Sequence, residues 1–231
     1  MKQIKLENIV VEYPLEDHTV RVMDNLNLEL DPQRITVILG KSGCGKTTLL
    51  RLLKGFVKPT HGHLEVDSTK LSYVFQEPRL LPWLTVWQNI TFFLKEYDKE
   101  QIQKLIDVVH LTGYENAYPS QLSGGMQSRV ALARGLVYQA EYILMDEPFA
   151  ALDDFTRVTM QKELLNALEK RKIGVLFVTH SIDEALTIAQ DILVMDQGKV
   201  ISSYRIEEKE RDLLDPKFID LKRKLREDIW R

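Results

Sequence analysis

The chain has 231 residues, 44% hydrophobic and 28% charged, enough to bury a sizeable core in one α/β domain with or without a small subdomain. A formal net charge of −3 lacks the basic footprint of a dedicated nucleic-acid binder, and a single cysteine excludes both an internal disulfide framework and a cysteine-rich zinc site. Cys44 also fits a reducing compartment. The opening residues place Glu7 where a signal peptide would be apolar, and no stretch approaches the ~18 uninterrupted apolar residues of a span. A cytosolic chain is expected, one that meets a membrane only through another protein.

In chain order, apolar and β-rich runs predict strands at residues 4–12, 20–30, 35–39, 63–66, 71–75, 142–145, 175–178, 192–195 and 199–204. The first two, joined by a loop with Glu16, Asp17 and His18, predict an antiparallel β subdomain. Helical stripes run through Ile102, Leu105, Ile106 and Val109, and through Met126, Val130, Ala133 and Val137. Residues 77–138 read as mostly helical. Strands alternating with helices predict an α/β fold class with a mainly parallel sheet covered on both faces.

The segment Gly40, Lys41, Ser42, Gly43, Cys44, Gly45, Lys46, Thr47, Thr48 comes after an apolar strand and precedes the helix-like residues 49–53. Its spacing matches G-x-x-x-x-G-K-[ST], in which glycines let backbone N–H groups converge on phosphate oxygens at a helix N-terminus. Cys44 itself reads as a small loop residue.

The run 142–147 is an apolar strand ending in two carboxylates, Asp146 and Glu147. Beside a phosphate loop, the first suits Mg²⁺ and the second suits a general base for an attacking water. The competing reading is a strand cap and turn before Pro148. Further back, Leu122-Ser123-Gly124-Gly125-Met126-Gln127 precedes an amphipathic segment. A serine before two glycines at a helix start is either an anion site or an ordinary N-cap.

With these residues in place, the chain resembles the ATP-binding subunits of ABC transporters. Leu122-Ser123-Gly124-Gly125 is similar to their signature motif, and the order of motifs along residues 13–199 is theirs. The resemblance implies one P-loop ATPase domain over 1–231, with a helical subdomain at about 77–138 and a helical tail at about 205–231. It implies ATP and Mg²⁺ as ligands and a head-to-tail homodimer. Each ATP would lie between the phosphate loop of one copy and Ser123 and Gly125 of the other.

The same resemblance implies further roles. Gln76 matches the glutamine that senses Mg²⁺ and the attacking water, so the implied metal set is Thr47, Gln76 and Asp146. His180 matches the switch histidine that contacts the γ-phosphate and orients Glu147. Asp153 matches the aspartate that crosses the dimer interface. Tyr13 matches the aromatic that stacks on adenine, with burial in the β-sheet as its competing explanation. Lys46 would neutralise the β- and γ-phosphates.

The run 74–90 is similar to importers of the nitrate, sulfonate, taurine or thiamine-precursor type. Such a subunit drives transport by hydrolysing ATP, bound peripherally to integral-membrane permease subunits at the cytoplasmic face and served by a separate solute-binding protein. Trp83 and Trp87 would form an apolar groove for a partner helix or belong to the subdomain core. Three departures stand out: a shortened interval from Lys46 to Gln76 around His61-Gly62-His63, Gln127-Ser128 after the signature Met126, and Ala150. His61 and His63 alone are too few ligands to define a metal site. The basic run at 222–228 reads as a solvated helix face. A non-transport ABC ATPase and a separate exporter subunit are the alternatives.

Overall fold

The computed structural model describes residues 3–138, 140–208 and 211–230. Strands β1 (Ile4–Pro14) and β2 (Thr19–Leu30) pair antiparallel as the loop between them predicts, and β4 (His61–Glu65) joins the free edge of β1. The shortened segment around His61 is therefore the third strand of a small antiparallel sheet, ordered β2-β1-β4.

The larger sheet has the order β5-β6-β7-β3-β8-β9. It comprises β3 (Ile35–Leu39), β5 (Leu71–Val74), β6 (Tyr142–Asp146), β7 (Gly174–Thr179), β8 (Asp191–Asp196) and β9 (Lys199–Arg205). All of its pairings are parallel except β8 with β9. Every residue of β6 and β7 is buried, as expected of central strands covered on both faces. Their side chains alternate between two cores. Val37, Leu39, Ile143, Met145 and Phe177 face one, while Ile38, Leu144, Leu176 and Val178 face the other.

The second core is closed by the antiparallel sheet and by α1 (Lys46–Lys54), whose Leu49, Leu50, Leu52 and Leu53 are buried. The first is closed by α4 (Gly124–Val137), α5 (Asp154–Arg171), α6 (Ile182–Ile188) and α7 (Pro216–Trp230). Helix α4 packs tightly on β5: a Cβ on Gly135 would meet Val74 Cγ2 at 2.4 Å.

Residues 77–138 are less helical than the sequence suggests. They hold α2 (Val86–Thr91), α3 (Lys99–Val108) and α4, of 6, 10 and 14 residues, separated by extended loops. Pro78 and Pro82 interrupt the chain until Thr85 caps α2, and Pro119 opens only a single 3-10 turn, Pro119–Gln121, before Ser123 caps α4. The α3 stripe is buried at Ile102, Ile106 and Val109, whereas α4 is buried beyond its expected stripe, at Ala131, Leu132 and Leu136.

The tail is corrected in the same way. Its helix begins only at Pro216, a favoured first helical position, after a turn in which Asp215 accepts from the Lys217 N–H at 2.9 Å. Residues 209, 210 and 231 of the expected tail lie outside the described residues. The basic residues at 222–224 pair with Asp183 and Asp220, as a solvated face should.

Candidate functional site

Four adjacent parallel strands, β5, β6, β7 and β3, end side by side. The register aligns Val74 with Met145, Asp146 with Val178, and Thr179 with Leu39. The segments leaving these strands therefore converge at one edge: Gln76 after β5, Glu147 after β6, His180 after β7 and the glycine-rich loop after β3. This carboxyl edge is where open α/β sheets place their ligands. The cleft there has a volume of about 630 Å³ and is lined by Ser42, Gly43, Gly45, Lys46, Thr47 and Thr48 together with Gln76, Glu147 and His180.

The loop takes its shape from its glycines. Gly45, at φ 108°, occupies the left-handed region that a side chain resists, and it hands the chain directly to α1. Lys46 is buried at the helix start; its Nζ donates to the carbonyls of Gly40 at 2.8 Å and Lys41 at 2.9 Å. A weaker contact reaches Cys44 Sγ at 3.9 Å. Cys44 is buried within the loop, and burial pushes its thiol up, so it stays a thiol.

Thr47 Oγ1 donates to Asp146 Oδ1 at 3.1 Å, and the Tyr73 hydroxyl donates to Asp146 Oδ2 at 3.2 Å. Burial pushes the Asp146 carboxyl up, while these two hydrogen bonds pull it back. Sequence reasoning misses Tyr73; its place near the end of β5, beside β6, is the only signal that points to it. Together, the Thr47 hydroxyl, the Asp146 carboxylate and the Gln76 carboxamide supply the oxygen donors that a hard cation such as Mg²⁺ takes.

Glu147 sits just past β6 with φ 46°, a strained conformation for a residue with a side chain. Its N–H donates to the Val178 carbonyl at 3.0 Å, which ties the strained turn to β7. Its Oε2 lies 3.0 Å from His180 Nδ1 and accepts a long contact from Gln76 Nε2 at 3.5 Å. The three side chains thus meet on one carboxylate oxygen.

Other expected residues lie elsewhere. Tyr13 is half-buried against the second core, outside the cleft lining, where Val22 stands instead. Ser123, Gly125 and Asp153 are also absent from the lining of this chain's own cleft. Ser123 caps α4 by accepting the Met126 N–H at 3.2 Å, and Asp153 caps α5 by accepting from Thr156. Trp87 is half-buried, with its indole N–H 3.4 Å from the Tyr97 hydroxyl, whereas Trp83 is 68% exposed. The core reading thus holds for Trp87 alone. Among the described residues no cluster of His, Cys, Asp and Glu is arranged to hold a metal, and His61 and His63 stand exposed on β4.

A phosphate loop, a paired carboxylate strand end and a histidine on one edge of an α/β sheet define a P-loop nucleotide-hydrolase site. The ABC transporter family model matches residues 23–150, and the chain belongs to that family, among its ATP-binding subunits. It is 41% identical to an uncharacterized ABC transporter ATP-binding protein of Methanocaldococcus jannaschii, over 96% of this chain and 90% of that one. It is 48% identical to an aliphatic sulfonates import ATP-binding protein of Pseudomonas syringae pv. tomato, over 77% of this chain and 76% of that one. A counterpart of the same description in Bacillus cereus is 39% identical over 85% and 83%. Among solved structures, a dimeric ATP-binding cassette in a post-hydrolysis state, bound to ADP and phosphate, superimposes with a TM-score of 0.80. It shares 28% identity and covers 89% of this chain and 99% of that one.

Proposed function

We propose that the chain hydrolyses ATP to drive an importer whose solute is an aliphatic sulfonate. The observation that carries the ATPase part of this reading is the convergence of Lys46, Thr47, Gln76, Glu147 and His180 on one cleft, with Asp146 bonded to Thr47 beside it. Two donors of the Lys46 ammonium hold loop carbonyls; the third, which makes only the weak sulfur contact, is left for the β- and γ-phosphate oxygens. The backbone N–H groups of residues 42–48 and the α1 dipole complete the phosphate cradle. Thr47, Asp146 and Gln76 would hold Mg²⁺, which would supply charge neutralisation to the phosphates.

Glu147 takes a proton from the attacking water as the new bond to the γ-phosphorus forms and the bond to the ADP oxygen breaks. His180 holds the Glu147 carboxylate in place through Nδ1 and turns its other ring nitrogen toward the γ-phosphate. Ser123 and Gly125 close on the γ-phosphate from a second copy, and Asp153 crosses between copies; the dimeric cassette structure supports the pairing of two copies. Tyr13 is the adenine-stacking candidate.

Among the described residues no helix is long and apolar enough to cross a membrane. Action at the cytoplasmic face then needs permease subunits. Trp83, 68% exposed, presents an apolar side chain shortly after Gln76 that suits a permease helix. A separate binding protein would deliver the solute. The sulfonate assignment rests on the sulfonate-import relatives, and nitrate, taurine and thiamine precursors are the competing solutes.

Glu147→Gln chain held with ATP, purified from detergent-solubilised membranes of its own host, tests the reading. A multi-span permease in fixed ratio is expected, encoded beside a binding protein that takes sulfonates. Ribosomal or repair proteins in its place would overturn it.

A further inference from the structure

Away from the cleft, a half-buried ionic link joins the turn at Asp153 to the turn at His180. Arg157 lies one helical turn into α5. Its Nη2 donates back to the Leu152 carbonyl at 2.8 Å, and its Nη1 pairs with Asp154 at 2.9 Å. Its Nε points the other way, toward Glu184 of α6, at 3.6 Å from Oε1.

Glu184 is only 7% exposed. Its other oxygen accepts from the Thr179 hydroxyl at 2.5 Å, and the Thr179 oxygen accepts the Ser181 N–H at 3.0 Å. Ser181 Oγ closes the ring by accepting the Glu184 N–H at 3.3 Å. His180 stands in the chain between Thr179 and Ser181, two members of this ring, and its Nδ1 lies 3.0 Å from Glu147.

Two features argue that the link is more than packing. A buried carboxylate facing a half-buried guanidinium is a costly way to join two helices, since apolar residues of the same volume commonly do so with equal or greater stability. Moreover, the pair is slack. Arg157 Nε is buried without a hydrogen-bond partner, because 3.6 Å exceeds hydrogen-bonding range though not that of a charge pair. A shift of a few tenths of an ångström in the Asp153 turn would close or open it. Through Thr179, that shift would reach His180.

We infer that Arg157 and Glu184 are positioning residues that couple the Asp153 turn to the His180 turn, so that what Asp153 contacts sets how His180 holds Glu147. The inference rests on the ATPase reading given above. It makes formation of the dimer a condition for a correctly placed histidine in the same chain. Neither residue touches nucleotide.

The test compares Arg157→Met, Glu184→Gln and the double variant in the full chain. Each single variant should lower kcat about tenfold while the KM for ATP moves less than twofold, and the double should be no worse than the worse single. Arg157→Lys should recover part of the loss. Thr179→Val, which leaves the charge pair intact and removes the hydroxyl relay, should behave as the singles do. In nucleotide-free chain, Arg157→Met should speed amide hydrogen exchange at Ser181, which Arg157 does not touch.

Wild-type kcat in the single variants, losses that multiply in the double, or exchange changes confined to residues 152–158 would overturn the link. The exchange measurement needs no nucleotide. A chain without ATPase activity would therefore sink the functional reading and still leave exchange at Ser181 to decide the coupling.

Discussion

The Thr47 hydroxyl donates to Asp146 at 3.1 Å, joining the first turn of α1 to the last residue of β6 across 99 positions of sequence. Tyr73 holds the other oxygen of the same carboxylate at 3.2 Å. The carboxylate is thus oriented from both sides by the protein itself. Removing one support should loosen metal binding while leaving the ligands in place. Tyr73→Phe is expected to raise the Mg²⁺ concentration for half-maximal ATPase activity by roughly tenfold, the lower end for an outer-shell partner. A Mg²⁺ titration at saturating ATP checks it.

Lys46 brings a buried positive charge to the start of α1. Its loss removes a charge-assisted contact to phosphate of about 1.5–3 kcal/mol, so Lys46→Ala should weaken ATP binding by at least about tenfold. Titration calorimetry on the nucleotide-free chain measures this directly. Unchanged affinity would remove Lys46 from its role.

The site is more legible in the sequence than the subdomain around it, and the reason is physical. Lys46, Glu147 and His180 come after, and Asp146 ends, strands whose uninterrupted apolar runs announce burial on both faces, so their convergence at one sheet edge is a consequence of strand order. The strand ends give Gln76 and His180 a place but no role, and the family resemblance alone assigns their roles. The stretch 77–138 misleads because its helices are short and their boundaries are set by Pro78, Pro82, Thr85 and Pro119 rather than by periodicity. Tyr73, Arg157 and Glu184 are invisible in the sequence because the partners that define their roles lie in other elements, Asp146 of β6 for Tyr73 and each other, between α5 and α6, for Arg157 and Glu184.

Trp83 separates two functions of the region after Gln76. It is exposed whereas Trp87 is packed, so Trp83→Ala should leave stability within about 0.5 kcal/mol, the usual range for a surface change. Capture of the permease should nonetheless fall by about tenfold or more, the effect of removing an aromatic anchor. Pull-down at equal protein concentration decides it.

Glu184 gives a pH signature. Burial holds its carboxyl above the ordinary carboxylate value, against the pull of the Thr179 hydroxyl and the Arg157 charge. The folded chain therefore binds the proton more tightly than the unfolded one. The group's contribution to stability is fullest below the unfolded value of about 4.3 and declines as pH rises through the folded value. Glu184→Gln mimics the protonated form, so its Tm relative to wild type should rise as pH climbs above about 4.3 and level off once the folded-state carboxyl has ionised. A relative Tm that falls over this interval would contradict the assignment.

The most direct measurement is light scattering after size exclusion, paired with an ATPase assay, on wild type and Glu147→Gln with Mg²⁺ and ATP. Glu147→Gln should elute as a dimer retaining ATP, with turnover reduced by a factor of about a hundred or more, the scale of a lost general base. Near-normal hydrolysis in a monomeric Glu147→Gln chain would contradict both the base and the two-chain site.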